Sequence, residues 1–268
     1  MRLLATNDDG IDSPFLHVLV HALRNAGHEL YVVAPKQEQS WTGASKSRHR
    51  PVVSAVVDRG LGCPTWTVDG TPSDCVNIGL AYLLPRADGA SRAAIDAVVS
   101  GMNVGFNLSL GFILASGTIA GAWEGALHGL PAIAFSQDLT HDAFEHIRQG
   151  LGPDDALAAT LAISAAHATR LVDELVPHTP PHSFTVHNVN FPFTCRPDTP
   201  VERTVPARLL VEKLFGPAAD DGTHRFIYSD NFEDVSPRAG DSAPTDRATI
   251  FAGKISHTVL DYTKLGWL

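Results

Sequence analysis

The sequence predicts a three-layer, Rossmann-like α/β fold: a doubly wound, mostly parallel sheet with helices on both faces and a C-terminal β-hairpin or arm extension. Three observations carry that expectation. A short apolar run from Leu3 leads directly into Asn7-Asp8-Asp9-Gly10 and then into a helical period opened by a proline. Strand-like and helix-like segments then alternate, the pattern of a parallel sheet covered by crossover helices. From about Gly216 the alternation stops, and Pro, Asp, Gly and Ser dominate through Asp246.

Each element has its own local signal. Pro14 stands at a first helical position, and Phe15, Val18, Leu19, Ala22 and Leu23 follow at helical spacing until Gly27 breaks the pattern. Residues 29–34 read as a buried strand ended by Pro35. Strand, helix and strand in about thirty residues imply a right-handed βαβ unit. Residues 37–50 are polar and aperiodic, a loop at the ligand end of the sheet. Residues 95–100 form another strand, closing on Gly101, and residues 131–136 a further one. Between them, residues 117–127 carry Ile119, Trp123 and Leu127 at helical spacing. Residues 155–175 are a long Ala- and Leu-rich helix, and residues 184–190 a strand. Residues 1–215 are thus expected to form the catalytic α/β domain. Residues 216–268 form an extension with an oligomerisation arm, a β-like run at 224–228 and a return strand at 254–260. That extension holds too little apolar surface to fold alone.

Composition narrows the function. With 268 residues, 44% of them hydrophobic, the chain can bury a core of normal size. A formal net charge of −9 argues against nonspecific binding to polymeric nucleic acid or to anionic membranes, both of which need excess Lys and Arg. Cys63, Cys75 and Cys195 are odd in number and form no Cys-x-x-Cys pair, so a disulfide framework or thiolate zinc site is not expected. A cytoplasmic protein fits. The apolar run before Asp8 is too short for a signal peptide, and no later run reaches the length of a membrane span, so a soluble, unprocessed chain is expected.

Asp8 and Asp9 carry the chemistry. Two adjacent carboxylates repel unless a cation or several hydrogen-bond donors offset the charge, and the end of a first strand is where open α/β sheets bind ligands. An Asp-Gly hairpin turn is the alternative, but it needs a second strand at once, and a helix follows instead. Four segments are expected to meet there: residues 7–10, 39–40, 100–107 and 116–118. They supply oxygen and amide ligands, which suit a hard cation such as Mg²⁺ or Mn²⁺ better than zinc. Ser116-Gly117-Thr118 opens a helix and reads as a phosphate seat or as an ordinary N-cap. Trp41 is placed either to stack on a base or to cap its loop. The basic run Lys46, Arg48, His49 and Arg50 reads as a solvated face that has an alternative role in steering phosphate. The thirteen histidines are scattered, without metal-ligand spacing.

Taken together, the chain resembles the SurE family (stationary-phase survival protein E), metal-dependent 5′/3′-nucleotidases that release phosphate from nucleoside monophosphates. The matching words are Thr6-Asn7-Asp8-Asp9-Gly10-Ile11, Val33-Ala34-Pro35 with Glu38-Gln39-Ser40, Gly70-Thr71-Pro72-Ser73-Asp74-Cys75-Val76, Ser100-Gly101-Met102-Asn103-Val104-Gly105, Ser116-Gly117-Thr118, and Glu124-Gly125 leading to Pro131-Ala132-Ile133-Ala134. The resemblance implies one divalent metal ion per subunit, Mg²⁺ or Mn²⁺, held by Asp8, Asp9, Ser40 and Asn103. It implies that Asp8 or Asp9 acts on the attacking water, and that Asn7, Asn107, Ser116, Gly117 and Thr118 hold phosphate or substrate. It also implies a small-molecule nucleotide as partner and arms exchanged in a homodimer or tetramer.

Some positions depart from the family pattern: Ala44 where His is usual, the apolar stretch through Phe112 and Ile113 where acidic residues are usual, and Ala115 where an aromatic or His is usual. These departures imply altered substrate preference or slower turnover. A phosphate- or nucleotide-binding protein that has lost turnover is the second reading. A dinucleotide-dependent oxidoreductase is disfavoured, because the first strand-to-helix turn lacks Gly-x-Gly-x-x-Gly and carries two acids instead.

Overall fold

The computed structural model describes residues 1–84, 95–227, 232–236 and 243–265. Its elements run β1 (Arg2–Thr6), α1 (Pro14–Asn25), β2 (Glu29–Pro35), β3 (Ser54–Val56), β4 (Thr65–Val68), α2 (Pro72–Ile78), β5 (Ala97–Val104), α3 (Ser109–Ala115), α4 (Gly117–Leu127), β6 (Ala132–Gln137), α5 (His141–Arg148), α6 (Asp155–His178), β7 (Thr185–Phe191), β8 (Val201–Thr204), β9 (Leu209–Val211), β10 (Phe232–Asp234), α7 (Asp246–Phe251) and β11 (Ile255–Asp261).

Nine strands form one sheet in the order β3-β4-β2-β1-β5-β6-β7-β11-β8. Pairing is parallel from β4 through β7, while β3 is antiparallel to β4 and β11 to β7. Strands β1 and β2 are almost continuously buried because helices cover both faces. On one face, Phe15, Leu19 and Leu23 of α1 join Leu161, Leu171 and Val172 of α6 against the sheet. On the other, α2 packs Val76 near Leu4 and Val98, and α4 packs Ile119, Ala122 and Ala126 near Ala132 and Val186. Contact between α4 and β5 is close enough that a β-carbon on Gly125 would lie 2.5 Å from that of Val98. This approach brings the amino end of α4 to the carboxyl edge of the sheet.

Chain connectivity reverses direction about β1, which pairs with β2 on one side and β5 on the other. Such a switch point is where open α/β sheets leave a ligand crevice.

The structure departs from the sequence reading in three of the segments it described. Strand β5 continues through Gly101 to Val104, so Ser100 and Asn103 lie on a strand with a register shift between them, not in a loop. That irregularity turns the chain without ending its pairing. The stretch carrying Phe112 and Ile113 is helix α3, with both side chains buried and Leu114 exposed. The two apolar neighbours are buried in different directions: Ile113 joins Ile119, Ala122 and Val186, while Phe112 packs on Trp41 and Phe232. The run at 224–228 contributes a single bridge, Phe226 to Phe215, and Tyr228 lies outside the described residues. The return strand expected at 254–260 is β11, which enters the main sheet between β7 and β8.

Candidate active site

The Asn7-to-Gly10 turn follows β1 directly. Asp8 is almost fully buried, and its Oδ1 accepts a hydrogen bond from the Thr118 hydroxyl at 2.5 Å. Asp9 Oδ2 accepts from the Val104 backbone N–H at 3.0 Å. One acid is therefore tied to the start of α4 and the other to the end of β5. The second loop is tied in as well, since the Gln39 N–H donates to the Asp8 carbonyl at 2.7 Å.

The electrostatics of the pair are strained. Among the described residues neither acid has an ion-pair partner. Burial pushes the Asp8 carboxyl up to about 6, against the opposing hydrogen bond from Thr118 and with a smaller push from Glu38. Burial also holds Asp9 well above the usual carboxylate range, and the neighbouring Asp8 charge adds to it. Two adjacent like charges, one of them buried, held without an ion-pair partner among the described residues are what a cation would stabilise.

The remaining donors fit that role. Asn103 is nearly buried, and its Nδ2 donates to the Gly105 carbonyl at 2.7 Å, which fixes the amide and leaves Oδ1 for a ligand. Asn7 donates to the Gly10 carbonyl at 2.9 Å, while its Oδ1 is buried with no hydrogen-bond partner. Carboxylate, amide and hydroxyl oxygens are the donor set of Mg²⁺ or Mn²⁺. No group of three or more His, Cys, Asp or Glu residues suited to a metal occurs among the described residues. Ser40 is placed less tightly: it is exposed and donates to Glu38 Oε1 at 2.7 Å.

Beside the acids stands the amino end of α4. Ser116 caps it, accepting from the Ile119 N–H at 3.1 Å, while the Thr118 backbone N–H already turns to the Asp8 carboxyl, so the helix end supports the negative charge of that acid. Asn107 is buried below this turn, where its Nδ2 donates to Ser136 Oγ at 2.9 Å and its carbonyl accepts from Asn188 at 2.9 Å. Its side chain is thus used inside an amide network that also takes in Asn190. The structure brings Asn7, Asp8, Asp9, Asn103, Asn107, Ser116, Gly117 and Thr118 to one end of the sheet.

Two further residues matter that residue type and spacing did not single out. Glu38 lies near enough to both aspartates to raise them. Glu124, on α4, is buried and accepts from Lys46 at 2.6 Å and from Asn77 at 2.8 Å. Lys46 is therefore a clamp for the loop that carries Ser40, not only a solvated charge. The same loop is held by Ser47 N–H donating to Asp74 and by Thr71 donating to the Ser45 carbonyl at 2.8 Å.

This arrangement is shared. A family model described as "Survival protein SurE" matches residues 3–213. The chain belongs to the SurE family. A solved SurE protein from Aquifex aeolicus superposes on this SurE chain with a TM-score of 0.67 at 26% identity, covering 99% of this chain and 97% of that one. "5′-nucleotidase SurE 1" of Thermus thermophilus is 38% identical over 228 residues, 84% of this chain and 73% of the relative. "5′-nucleotidase SurE" of Desulforudis audaxviator is 43% identical over 137 residues, 51% of this chain. The alignment spans half the length of that relative. As in the family model, the matched region of this SurE chain includes every candidate site residue described above.

Proposed function

We propose that the protein is a divalent-metal-dependent phosphomonoesterase that hydrolyses nucleoside 5′- or 3′-monophosphates or a related small phosphate ester. The observation that carries the reading is the adjacent Asp8 and Asp9 carboxyls at the end of β1, Asp8 buried against the amino end of α4 and Asp9 tied to the end of β5. Asp8, Asp9, Ser40 and Asn103 would hold one Mg²⁺ or Mn²⁺ per subunit. When bound, the cation supplies Lewis-acid charge at a phosphoryl oxygen and lowers the pKa of water.

The chain's own groups do the rest. Groups of the Ser116–Thr118 turn orient the phosphoryl oxygens, and charge neutralisation with positioning is most of what phosphoryl transfer asks of a protein. The Thr118 hydroxyl holds Asp8 through Oδ1, which fixes the carboxylate plane relative to that turn. Asp8 or Asp9 accepts the proton of the attacking water. On the same reading the enzyme works in the cytoplasm, on neither polymeric nucleic acid nor membrane. It assembles as a homodimer or tetramer through residues 216–260. Among the described residues no single helix is long and apolar enough to cross a membrane.

The test is phosphate release from nucleotides with Mn²⁺ or Mg²⁺. Asp8→Asn and Asp9→Asn each remove most turnover, on the order of several kcal/mol of transition-state stabilisation, with the fold intact by circular dichroism. Full activity in either variant, or after exhaustive EDTA treatment, overturns the metal reading. Tight nucleotide binding without phosphate release points instead to a protein that has lost turnover.

A further inference from the structure

Residues 39–43 run along the amino end of α4. At one end, the Gln39 carbonyl lies where it would be 3.0 Å from a β-carbon on Gly117. At the other, the Gly43 N–H donates to the Ala115 carbonyl at 2.9 Å. Trp41 is the middle residue of this span, so its backbone stands directly beside the Ser116–Gly117 turn. Its φ is +62°, a left-handed conformation that a bulky side chain rarely adopts. Strain of this kind persists only where surrounding structure imposes it, and it concentrates at ligand sites.

The indole is gripped from two sides. Phe112 meets it edge-on with ring centroids 5.4 Å apart, and Phe226 of the C-terminal segment packs at 4.9 Å, tilted by 60°. Phe232 in turn braces Phe112 at 5.3 Å. Even so, 42% of Trp41 remains exposed. An aromatic ring that is fixed in orientation, open on part of its surface and set next to a phosphate seat has the properties of a stacking platform.

From this placement we propose that Trp41 is the specificity-determining platform on which the base of the substrate stacks, with Phe226 holding the indole in position. This rests on the nucleotidase reading and names what that reading leaves open: the site selects phosphate esters whose alcohol portion carries a flat aromatic base. Ribose and phosphate are common to all nucleotides, so stacking favours any nucleobase over none and discriminates little among bases.

The experiment compares kcat/KM for adenosine 5′-monophosphate with that for ribose 5-phosphate, in the presence of Mn²⁺, for the wild type, Trp41→Phe and Trp41→Leu. Leucine retains apolar packing against Phe112 and Phe226 but offers no flat ring. In Trp41→Leu the preference for the nucleotide falls about 5- to 150-fold, the range expected for loss of one base–aromatic stack. Trp41→Phe keeps most of the preference. An unchanged preference in Trp41→Leu overturns the proposal even when both esters are hydrolysed well. Should the wild type hydrolyse neither ester, the nucleotidase reading fails, and the same comparison is made by calorimetric binding of the two compounds. A loss of the nucleotide's affinity advantage in Trp41→Leu then supports the platform, and equal advantage in both proteins overturns it.

Discussion

Gly117 sits against Asp8 so closely that a β-carbon at position 117 would fall 2.7 Å from the Asp8 β-carbon and 2.9 Å from its Oδ2. The absence of a side chain at one residue thereby sets the position of a carboxylate 109 positions earlier, measured on the chain numbering. Gly117→Ala forces either Asp8 or the first turn of α4 to move. Overpacking of this kind costs about 1 to 3 kcal/mol of stability. Displacement of a ligand also weakens Mn²⁺ binding about tenfold or more, by analogy with the loss of an orienting group. Calorimetric titration with Mn²⁺ checks this, and wild-type affinity in the variant contradicts it.

Glu124 supplies a second prediction. Burial alone would raise its carboxyl, but hydrogen bonds from His128, Lys46 and Asn77 outweigh that and hold it at about 2. A carboxylate with a depressed folded pKa contributes stability that is present above its unfolded value near 4.3 and is lost as pH falls toward 2. Glu124→Gln leaves Lys46 without its partner, lowers stability by about 1 to 3 kcal/mol at neutral pH and flattens the acid limb of a denaturation profile. Because Lys46 and Ser40 share one loop, KM rises as well.

The opposite face of the sheet carries a different pH response. His187 Nδ1 and His257 Nε2 lie 2.9 Å apart, and His187 Nε2 lies 2.8 Å from Thr179 Oγ1. Thr179 donates to the Leu175 carbonyl, so it accepts from His187 Nε2–H, and His257 Nε2–H donates to His187 Nδ1. Burial, with help from Arg203, pushes His187 down to about 4; burial, His187 and Arg203 push His257 down to about 3. Between pH 6.5 and about 4 the unfolded chain takes up protons that the folded chain refuses, so stability is full above 6.5 and falls as pH drops. Urea denaturation from pH 8 to pH 5 measures the slope. In His187→Gln that slope is smaller than in the wild type.

Assembly gives a fourth prediction. In the single chain, Phe226 reaches Trp41 beside the site. Sedimentation at micromolar concentration is expected to give a homodimer or tetramer, and deletion of residues 216–236 is expected to shift it toward monomer. A stable wild-type monomer refutes the exchanged-arm reading.

Much of this was legible in the chain itself, for identifiable reasons. Residues 117–127 match α4 end to end, because small residues and a capping Ser116 mark its limits. Strands β1, β2 and β6 were legible as apolar runs, since both faces of each are covered, whereas β7 mixes Val186, Val189 and Phe191 with His187, Asn188 and Asn190. The β3–β4 pair was not: β3 is three exposed residues and β4 alternates threonine with apolar residues over only four. Helix α3 was missed because its apolar residues are too few to show a period. In the site, Asp8 and Asp9 announce themselves by adjacency. The Glu124–Lys46 pair joins residues 78 positions apart and exists only once loop and helix meet.

Strand β8 pairs in the main sheet with β11 alone, and β7 has β11 as its outer neighbour. A nascent chain that has emerged only to residue 213, the limit of the family match, therefore holds β7 as a bare hydrogen-bonding edge. Open edges of this kind recruit strands from other molecules. Until residues 255–261 arrive to fill the gap, that edge stays open to pairing with neighbouring chains.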